Sequence, residues 1–361
     1  MKKVIIMVSS LYTGGAQRVV IDDINEMLAR DIDIKLVTFE QEVTGLSLSN
    51  KCKIEPENWL KLYFKNSRDL KKWVKLIIFL LKEKPDLVIT HMWFANNVGR
   101  IASFFVRVKK VISFEHTRSE NIKTKKQLLV DRILQNFCTK IIAVSNDVKE
   151  SLVMLGIKPK KIEVLFNGIN LDSYKNIKEG DLKEVLGIKK DNFNFIFIGR
   201  LVSAKAVDVL IKAFSNLKGD NNLIIVGDGL ERGSLESLSK KEGLSGSVKF
   251  LGSRQDISKL LKISDCMVLP SRREGFGLVL LEAMASSIPI VASNLDSIKE
   301  IIKEGSNGLL FEKDNEIDLT KVMNRMINDV ALRGNIARNS ITYVNRFSIK
   351  NHVDGIFKIV N

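Results

Sequence analysis

Cysteine and histidine are scarce in this sequence, which limits the cross-links and metal sites that it can build. The 361 residues include three cysteines and three histidines. Cys52, Cys138 and Cys266 lie far apart and show no CxxC spacing, and the histidines form no ligand pair. The sequence therefore indicates neither a disulfide framework nor a structural zinc site.

Long apolar runs, a leader pattern and one common cofactor motif are also absent. No apolar run approaches the roughly 20 residues needed to span a bilayer. The first residues, Met1 to Val8, enter a strand pattern directly, without the pattern of a cleavable signal. The GxGxxG fingerprint is missing, which disfavours a nicotinamide-dependent dehydrogenase. We expect a cytoplasmic protein.

Positive charge, by contrast, is abundant, with a formal net charge of +15 at pH 7. Residues 1–170 hold 29 Lys and Arg against 18 Asp and Glu, so most of the excess lies in the first half. It is densest between Asn58 and Lys82, where the only acid is Asp69 and the cations are Lys61, Lys65, Arg68, Lys71, Lys72, Lys75 and Lys82.

Part of this basic segment has the pattern of an amphipathic helix. Apolar residues recur at helical spacing at positions 70, 73, 74, 77 and 81, and lysines flank them. The pattern predicts a helix that lies on an anionic membrane surface, where each cation contributes on the order of 1 kcal/mol. A helix packed in a domain with a solvated basic face explains the same pattern.

Apolar strands alternate with helical stretches in both halves of the chain, which predicts an α/β protein with two doubly wound, Rossmann-like parallel sheets. We expect domains at residues 1–170 and 171–343, a hinge in the polar stretch Asn170 to Asp191, and a helical tail at 344–361. Predicted strands of the first half are Lys3–Ser9, Asp33–Phe39, Asp86–Thr90, Lys110–Phe114, Lys140–Val144 and Glu163–Phe166. Those of the second are Asn194–Ile198, Asn222–Val226, Val248–Leu251, Cys266–Leu269 and Ile290–Ser293.

Two glutamates separated by seven residues are the most informative feature of the second half. Glu274 is expected in a strand-to-helix loop and Glu282 about one turn inside the following helix, so both carboxylates can face a ligand above the sheet. The loop between them offers backbone N–H groups at a helix N-terminus, where phosphate is favoured; it comprises Gly275, Phe276, Gly277 and Leu278. The alternative is a solvated loop residue and a surface helix position.

Cations and glycines mark two further strand ends. Arg200 follows a strand and Lys205 stands five residues on, so the two can converge on a diphosphate, unless they are solvated cations. After the first strand, Gly14 and Gly15 allow backbone N–H groups to approach a phosphate, although paired glycines also make simple turns.

These segments resemble the motifs of family 4 glycosyltransferases, which are retaining enzymes of the GT-B fold with two domains facing across a cleft. The resemblance covers nearly the whole chain and is strongest from Phe195 to Phe311. It is carried by the Glu-x7-Glu loop, Gly-Arg-Leu-x-x-x-Lys from 199, Gly-Gly-Ala-Gln-Arg from 14, and Glu-His-Thr from 115. One departure is Ala206, where the family usually has glycine; if that position needs a positive φ, alanine costs donor affinity.

The resemblance implies a role for each of these residues. Arg200 and Lys205 would bind the donor diphosphate, Glu274 the hydroxyls of the transferred sugar, and Glu282 those of the ribose. His116 would contact the donor sugar, and His91 is the second choice, on the acceptor side. The loops that would bracket the base and ribose contain Gly227, Gly252, Ser253 and Arg254. The tail would cross back to the first domain.

We therefore expect a retaining glycosyltransferase that uses a nucleoside diphosphate sugar, either a UDP-hexose or a UDP-N-acetylhexosamine, with GDP-mannose next. The acceptor would be a lipid-linked saccharide at the inner face of the plasma membrane. No cofactor and no divalent metal are expected, and Asp31-Ile-Asp33, which spells the DxD of metal-dependent transferases, opens an ordinary strand. The alternatives are a nucleotide-sugar epimerase or phosphorylase of the same fold and a basic nucleic-acid-binding protein, for which no recognisable module is present.

Overall fold

The computed structural model describes residues 3–12, 14–39, 46–64, 69–118, 123–178, 180–188 and 192–361. The chain divides into two compact units. The first comprises Met1–Ile169 together with Phe347–Asn361, and the second comprises Asn170–Arg346. Lys65 and Arg68 of the basic segment, and residues 179 and 189–191 of the expected hinge, lie outside the described residues.

The first unit is built on a seven-stranded parallel sheet, whose strand order is β3-β2-β1-β4-β5-β6-β7. Its strands are β1 Lys3–Val8, β2 Asp33–Thr38, β3 Trp59–Lys61, β4 Leu87–His91, β5 Lys110–Glu115, β6 Lys140–Ala143 and β7 Ile162–Val164. The accompanying helices are α1 Gly15–Leu28, α2 Leu70–Glu83, α3 Trp93–Phe105, α4 Lys125–Leu134 and α5 Asn146–Met154. Because the central strands are buried on both faces, they read as continuous apolar runs.

The second unit repeats this plan with a six-stranded parallel sheet of order β10-β9-β8-β11-β12-β13. Its strands are β8 Phe193–Ile198, β9 Asn221–Val226, β10 Val248–Phe250, β11 Cys266–Leu269, β12 Ile290–Ser293 and β13 Leu309–Phe311. Its helices are α6 Leu182–Val185, α7 Val207–Ser215, α8 Arg232–Lys241, α9 Ile257–Lys262, α10 Leu278–Ala285, α11 Asp296–Lys299, α12 Glu316–Asn328 and α13 Val330–Tyr343.

The strand order reverses once in each sheet, between β1 and β4 in the first and between β8 and β11 in the second. In open parallel sheets, ligands bind outside the carboxyl ends of the strands at such a switch point. We therefore expect ligand-binding residues in the loops that follow these four strands.

The last helix, α14 Ile349–Val360, belongs to the first unit and packs against α1. His352 of α14 lies with its Nε2 3.4 Å from Asp23 Oδ1 of α1, and both side chains are 1% exposed. The other ring nitrogen of His352 lies 2.7 Å from the carbonyl oxygen of Phe166.

The prediction of two parallel-sheet α/β domains is confirmed, and single elements differ from expectation. The sequence reading missed the three-residue strands β3 and β13 and the helices α12 and α13. The alternation of strands and helices also predicts a helix at Ser297–Lys303, and this prediction is wrong beyond Lys299, where α11 ends after four residues. Among the described residues, no helix is long and apolar enough to cross a membrane.

Candidate functional site

Two loops of the second unit meet at the switch point of its sheet. Because β8 and β11 are neighbours, the loops after their carboxyl ends lie side by side. The backbone N–H groups of Arg272 and Arg273 donate to the carbonyl of Ala204, at 2.9 and 3.3 Å. These bonds fix the loop after β11 against the loop after β8.

Lys205 and Glu274, one from each loop, form an ion pair in which Lys205 Nζ donates to Glu274 Oε2. Ser271 Oγ donates to the same carboxylate oxygen at 3.2 Å, and Ser297 Oγ donates to the backbone carbonyl of Glu274 at 2.8 Å. The two side chains are only 17% and 13% exposed. Glu274 is therefore not the solvated loop residue of the alternative interpretation.

Arg200 stands just after β8, and its side chain is exposed. The neighbouring backbone is fixed, because Leu201 N donates to Asp228 O at 2.9 Å and Val202 N donates to Arg200 O at 3.0 Å. The two predicted diphosphate ligands thus differ in state: Lys205 is neutralised by Glu274, whereas the guanidinium of Arg200 faces solvent.

Glycines let the loops after β8, β9 and β10 approach one another backbone to backbone. Gly227 has a φ of 133°, and a Cβ there would lie 1.9 Å from the carbonyl oxygen of Gly199. Gly227 N donates to Gly252 O at 2.8 Å, and Gly199 N donates to Val226 O at 2.9 Å. The glycines predicted at these strand ends therefore lie together in space.

Next to Gly252, Ser253 is half-buried and Arg254 is paired within its own loop. The guanidinium of Arg254 donates to both carboxylate oxygens of Asp256, at 2.9 and 2.7 Å. These hydrogen bonds lower the pKa of Asp256, against the smaller opposing effect of burial. The charge of Arg254 is consequently balanced by a neighbouring carboxylate.

Helix α10 begins at Leu278, directly after Gly277, whose φ of 84° lies in the left-handed region. Gly275, Phe276 and Leu278 are buried. Glu282, the fifth residue of the helix, is 2% exposed, so the alternative that it is a solvated surface position is wrong.

Ala206 takes the conformation that its position would ordinarily reserve for glycine. Its φ of 50° and ψ of 40° lie in the left-handed region, and its side chain is fully buried between Lys205 and the start of α7. The sequence alone left open whether position 206 needs a positive φ, and in the structure the φ of Ala206 is positive.

Arg272 is a residue of this loop that sequence reasoning missed. Its guanidinium donates to both oxygens of Asp208, at 3.0 and 2.8 Å, and also contacts Asp314. Burial alone would raise the pKa of Asp208, but the hydrogen bonds from Arg272 outweigh it, so the pKa is lowered. The available signal was the Arg-Arg doublet at the end of β11.

The switch point of the first unit is formed by the loops after β1 and β4. Gly14 precedes α1 in an extended conformation, and Gly15 is the exposed first residue of that helix. Gln17 Nε2 lies 3.5 Å from the sulfur of Met92, which follows β4. Met92 has φ 73° and ψ 151°, a region that only glycine adopts readily and that costs other residues about 1–3 kcal/mol.

His91 and His116, from the ends of neighbouring strands, are in direct contact. Nδ1 of His91 lies 3.1 Å from Nε2 of His116, and the His91 ring stacks on Phe114 with centroids 4.6 Å apart. Burial lowers the pKa of His91 and lowers that of His116 to about 4. Both rings are therefore neutral at physiological pH.

Behind His116, four buried charges form a network that the sequence did not indicate. Lys123 Nζ lies 3.0 Å from Glu115 and 2.8 Å from Asp131, and the guanidinium of Arg100 lies 3.9 and 4.0 Å from the same two carboxylates. Burial would raise the pKa of Glu115, but Lys123 and Arg100 lower it on balance. The network fixes the end of β5, where His116 begins the loop.

Neither unit presents a cluster of metal-ligand side chains in the part of the chain that the structure describes. Asp33 of the DxD sequence lies in β2, where it pairs with Lys3 at 3.2 Å. Asp31 lies before the strand in a left-handed turn with φ 57°.

Two family models match the chain, "Glycosyltransferase Family 4" over residues 13–173 and "Glycosyl transferases group 1" over residues 178–343. A UDP-Gal:alpha-D-GlcNAc-diphosphoundecaprenol alpha-1,3-galactosyltransferase of Escherichia coli is 32% identical and aligns with 95% of this chain and 92% of its own length. A Campylobacter jejuni alpha-1,4-N-acetyl-D-galactosaminyltransferase, named for an undecaprenol-linked acceptor, is 25% identical over 100% of this chain and 98% of its own. The crystal structure of Anabaena HepE with UDP-glucose matches with a TM-score of 0.87, 26% identity and 99% coverage of both chains.

Proposed function

Since the chain belongs to the family 4, group 1 glycosyltransferases, we propose that it transfers a hexose or N-acetylhexosamine from a UDP-sugar to a hydroxyl of a lipid-linked saccharide, with retention of anomeric configuration. The observation that carries the proposal is the contact between Lys205 and Glu274 at the switch point of the second sheet. This contact sets a phosphate-binding cation beside a carboxylate that accepts hydroxyl hydrogen bonds, as a nucleotide sugar requires.

The charges of the second unit account for the departure of the UDP leaving group. Breaking the bond between the sugar and the phosphate develops negative charge on the diphosphate, which Arg200, Lys205 and the N–H groups at the start of α10 would stabilise. Arg200 is exposed and therefore available to the ligand. These groups would supply the stabilisation that a metal ion provides in other transferases, so we infer that turnover needs no divalent metal.

Glu274 and Glu282 would bind hydroxyl groups of the donor. Glu274 accepts hydrogen bonds from Lys205 and Ser271 and would accept another from the transferred sugar. Glu282, buried within α10, would bind the ribose. The leaving phosphate would accept the proton of the acceptor hydroxyl, a route that retains configuration without a carboxylate nucleophile.

The proposed substrates follow from the relatives. The Escherichia coli relative is named for UDP-galactose and a diphosphoundecaprenol-linked acceptor, and the HepE crystal contains UDP-glucose. A protein that acts on such an acceptor must reach the membrane surface. We propose that α2 supplies this contact, because one face of it is exposed, apolar and bordered by lysines.

The first experiment screens nucleotide sugars by thermal stabilisation, since a ligand that binds only the folded state raises its stability by mass action. Transfer is then measured with the stabilising donor and an undecaprenyl-diphosphate saccharide in the presence of EDTA. Arg200→Ala and Glu274→Ala are expected to lose roughly 100-fold or more in kcat/KM. The matched control, Arg273→Ala, removes an exposed arginine of the same loop and should retain activity.

Several results would count against the proposal. Full activity in Arg200→Ala or Glu274→Ala would remove the assigned roles, and loss of wild-type turnover on adding EDTA would show a metal requirement. Determining the anomeric configuration of the product by NMR tests retention. A converted nucleotide sugar formed without acceptor would indicate an epimerase instead.

A further inference from the structure

The contact between His91 and His116 has features of a functional pair rather than of ordinary core packing. The two residues lie at the carboxyl ends of β4 and β5, which pair in parallel with His91 opposite Phe114. His91 is fully buried, its ring is stacked on that of Phe114 with an interplanar angle of 13°, and the ring of His116 lies beside it, tilted by 25°. Such stacking leaves the His91 ring little freedom to turn.

Each ring of the pair has an inner nitrogen, which faces the other ring, and an outer nitrogen, which faces away from it and lacks a hydrogen-bond partner in the described part of the chain. Nε2 of His91 and Nδ1 of His116 are buried and meet no hydrogen-bond partner among the described residues. The inner nitrogens, Nδ1 of His91 and Nε2 of His116, face each other at 3.1 Å. Buried polar atoms in native proteins nearly all have partners, so an outer nitrogen at the carboxyl ends of parallel strands is a candidate for contact with a ligand.

The backbone beside the pair is strained. Met92, directly after His91, has φ 73° and ψ 151°. Non-glycine residues keep such a conformation only where the surrounding structure determines it, and they cluster at functional sites. On the other side of the pair, the buried network of Glu115, Lys123 and Asp131 fixes the residue before His116.

Two neutral imidazoles that share one hydrogen bond have coupled tautomers. Each ring carries one N–H, and one hydrogen must lie between the two facing nitrogens. If His91 donates from Nδ1, the proton of His116 is on Nδ1, its outer nitrogen. If His116 donates from Nε2, the proton of His91 is on Nε2, inside the fully buried ring.

We propose that His91 is a positioning residue that donates from Nδ1 to His116 Nε2 and thereby makes the outer Nδ1–H of His116 a hydrogen-bond donor to substrate. The opposite arrangement would place the free N–H on Nε2 of His91, which is fully buried, whereas His116 is only half-buried at the start of the loop after β5, where a ligand can meet its Nδ1–H. An outward donor suits an oxygen of the sugar or phosphate. The role toward substrate rests on the proposed glycosyltransferase function, whereas the tautomer does not.

The test uses two substitutions of His91 that differ in one property. His91→Phe keeps an aromatic ring for the stack and removes the donor. His91→Asn has a side-chain N–H₂ close to the position of Nδ1 and keeps the donor. Because the chain has only three histidines, the ring nitrogens can be observed by NMR in protein labelled with 15N-histidine, and His116→Asn assigns the resonances of His116.

The expected spectrum of the wild type, without any substrate, shows His116 protonated on Nδ1 and unprotonated on Nε2. His91→Phe should abolish this preference and His91→Asn should keep it. In transfer assays, His91→Phe should lose roughly tenfold or more in kcat with a smaller change in the KM for donor, and His91→Asn should recover most of the loss.

A wild-type His116 protonated on Nε2, or a tautomer unchanged in His91→Phe, would overturn the proposal, and the wild-type spectrum decides even if His91→Phe does not fold. Wild-type kcat in a folded His91→Phe would also overturn it. If the wild type transfers no sugar from any donor, the proposed function fails while the spectrum still tests the tautomer.

Discussion

Ala206 is a non-glycine residue in a backbone conformation that favours glycine. It lies between Lys205 and the first turn of α7, in a left-handed conformation that costs a residue with a Cβ about 1–2 kcal/mol. The family resemblance implies glycine at this position. The chain therefore carries local strain directly beside the cation that we assign to the donor diphosphate.

We expect Ala206→Gly to raise the free energy of unfolding of the second unit by roughly 0.5–1 kcal/mol. The relief of the left-handed backbone exceeds the entropy that glycine adds to the unfolded chain. The three tryptophans, Trp59, Trp73 and Trp93, all lie in the first unit, so tryptophan fluorescence does not report on this change. Hydrogen exchange of the amides of β8 and β9 is the appropriate measurement.

Ala337→Gly is the matched control for this substitution. Ala337 lies in the interior of α13, where glycine should lower stability by about 1 kcal/mol. If Ala206→Gly destabilised the second unit as Ala337→Gly does, the strain assigned to Ala206 would be absent. A tighter apparent donor Kd in Ala206→Gly would further indicate that alanine weakens diphosphate binding.

Contacts between residues of the candidate site were harder to predict from the sequence than the identity of those residues. Lys205 and Glu274 were each selected by the motif of their own loop, but their contact depends on β8 and β11 being neighbours, although β9 and β10 separate them along the chain. The contact of His91 with His116 likewise depends on the pairing of β4 with β5. Side-chain spacing within one segment carries no information about such pairings.

At the scale of single elements, most strands were predictable and two strands of three residues were not. β11 and β12 have the predicted bounds, because four consecutive apolar or small residues between turn signals mark a buried strand. β3 and β13, which have three residues each, were missed, whereas β7 and β10 of the same length were predicted. α12 is amphipathic, but the sequence analysis did not predict a helix there.

Helix α2 packs on its unit with one face and leaves the opposite face exposed. Leu76 and Leu80 are buried, so the helix packs on its unit. The opposite face carries Leu70, Val74, Ile78 and Leu81, which are between 54% and 75% exposed, with exposed lysines at 71, 75 and 82. An exposed apolar stripe bordered by cations is typical of a helix at an anionic membrane surface.

We expect the double substitution Val74→Glu and Ile78→Glu to weaken binding to anionic lipid vesicles by at least about tenfold. It removes apolar side chains that would be buried in the membrane, and it gives the helix negative charges that the anionic lipids repel. Co-sedimentation at low salt measures the effect. The control Ile317→Glu changes an exposed isoleucine on α12 of the second unit. Equal binding of the double variant and wild type would exclude α2 as the membrane contact, and donor-induced thermal stabilisation should be unchanged in all three proteins.

At the scale of the whole chain, the same plan occurs twice. In each unit the strand order reverses between the first and fourth strands, β1 and β4 in the first and β8 and β11 in the second, and the residues of interest follow these strands or other strands of the same sheet. This repetition explains why glycine-marked loops and single charged or histidine side chains recur at strand ends in both halves. The chain then returns to its first unit, where α14 closes the fold against α1.

The buried pair of His352 and Asp23 makes this closure sensitive to pH. Burial opposes the charged imidazole, but the attraction of the Asp23 carboxylate, 3.4 Å away, outweighs it, so the pKa of His352 is raised above its value in the unfolded chain. Burial also raises the pKa of Asp23. A histidine with a raised pKa contributes stability that is fully present below its unfolded pKa of about 6.5. That contribution is lost as the pH rises through the folded-state pKa.

Asp23→Asn should therefore lower the free energy of unfolding of the first unit by about 3 kcal/mol near pH 6, and by progressively less as the pH rises above about 6.5 and His352 loses its proton in the folded state. Urea unfolding followed by tryptophan fluorescence measures this quantity directly, because all three tryptophans lie in the first unit. The control is Asp354→Asn, which removes an ion pair at the surface between α14 and Arg30, in the turn that follows α1. That pair should be worth under about 1 kcal/mol, with no change between pH 6 and 9. A loss in Asp23→Asn that stayed constant over this range would mean that His352 is not charged when α14 docks, and that packing alone closes the fold.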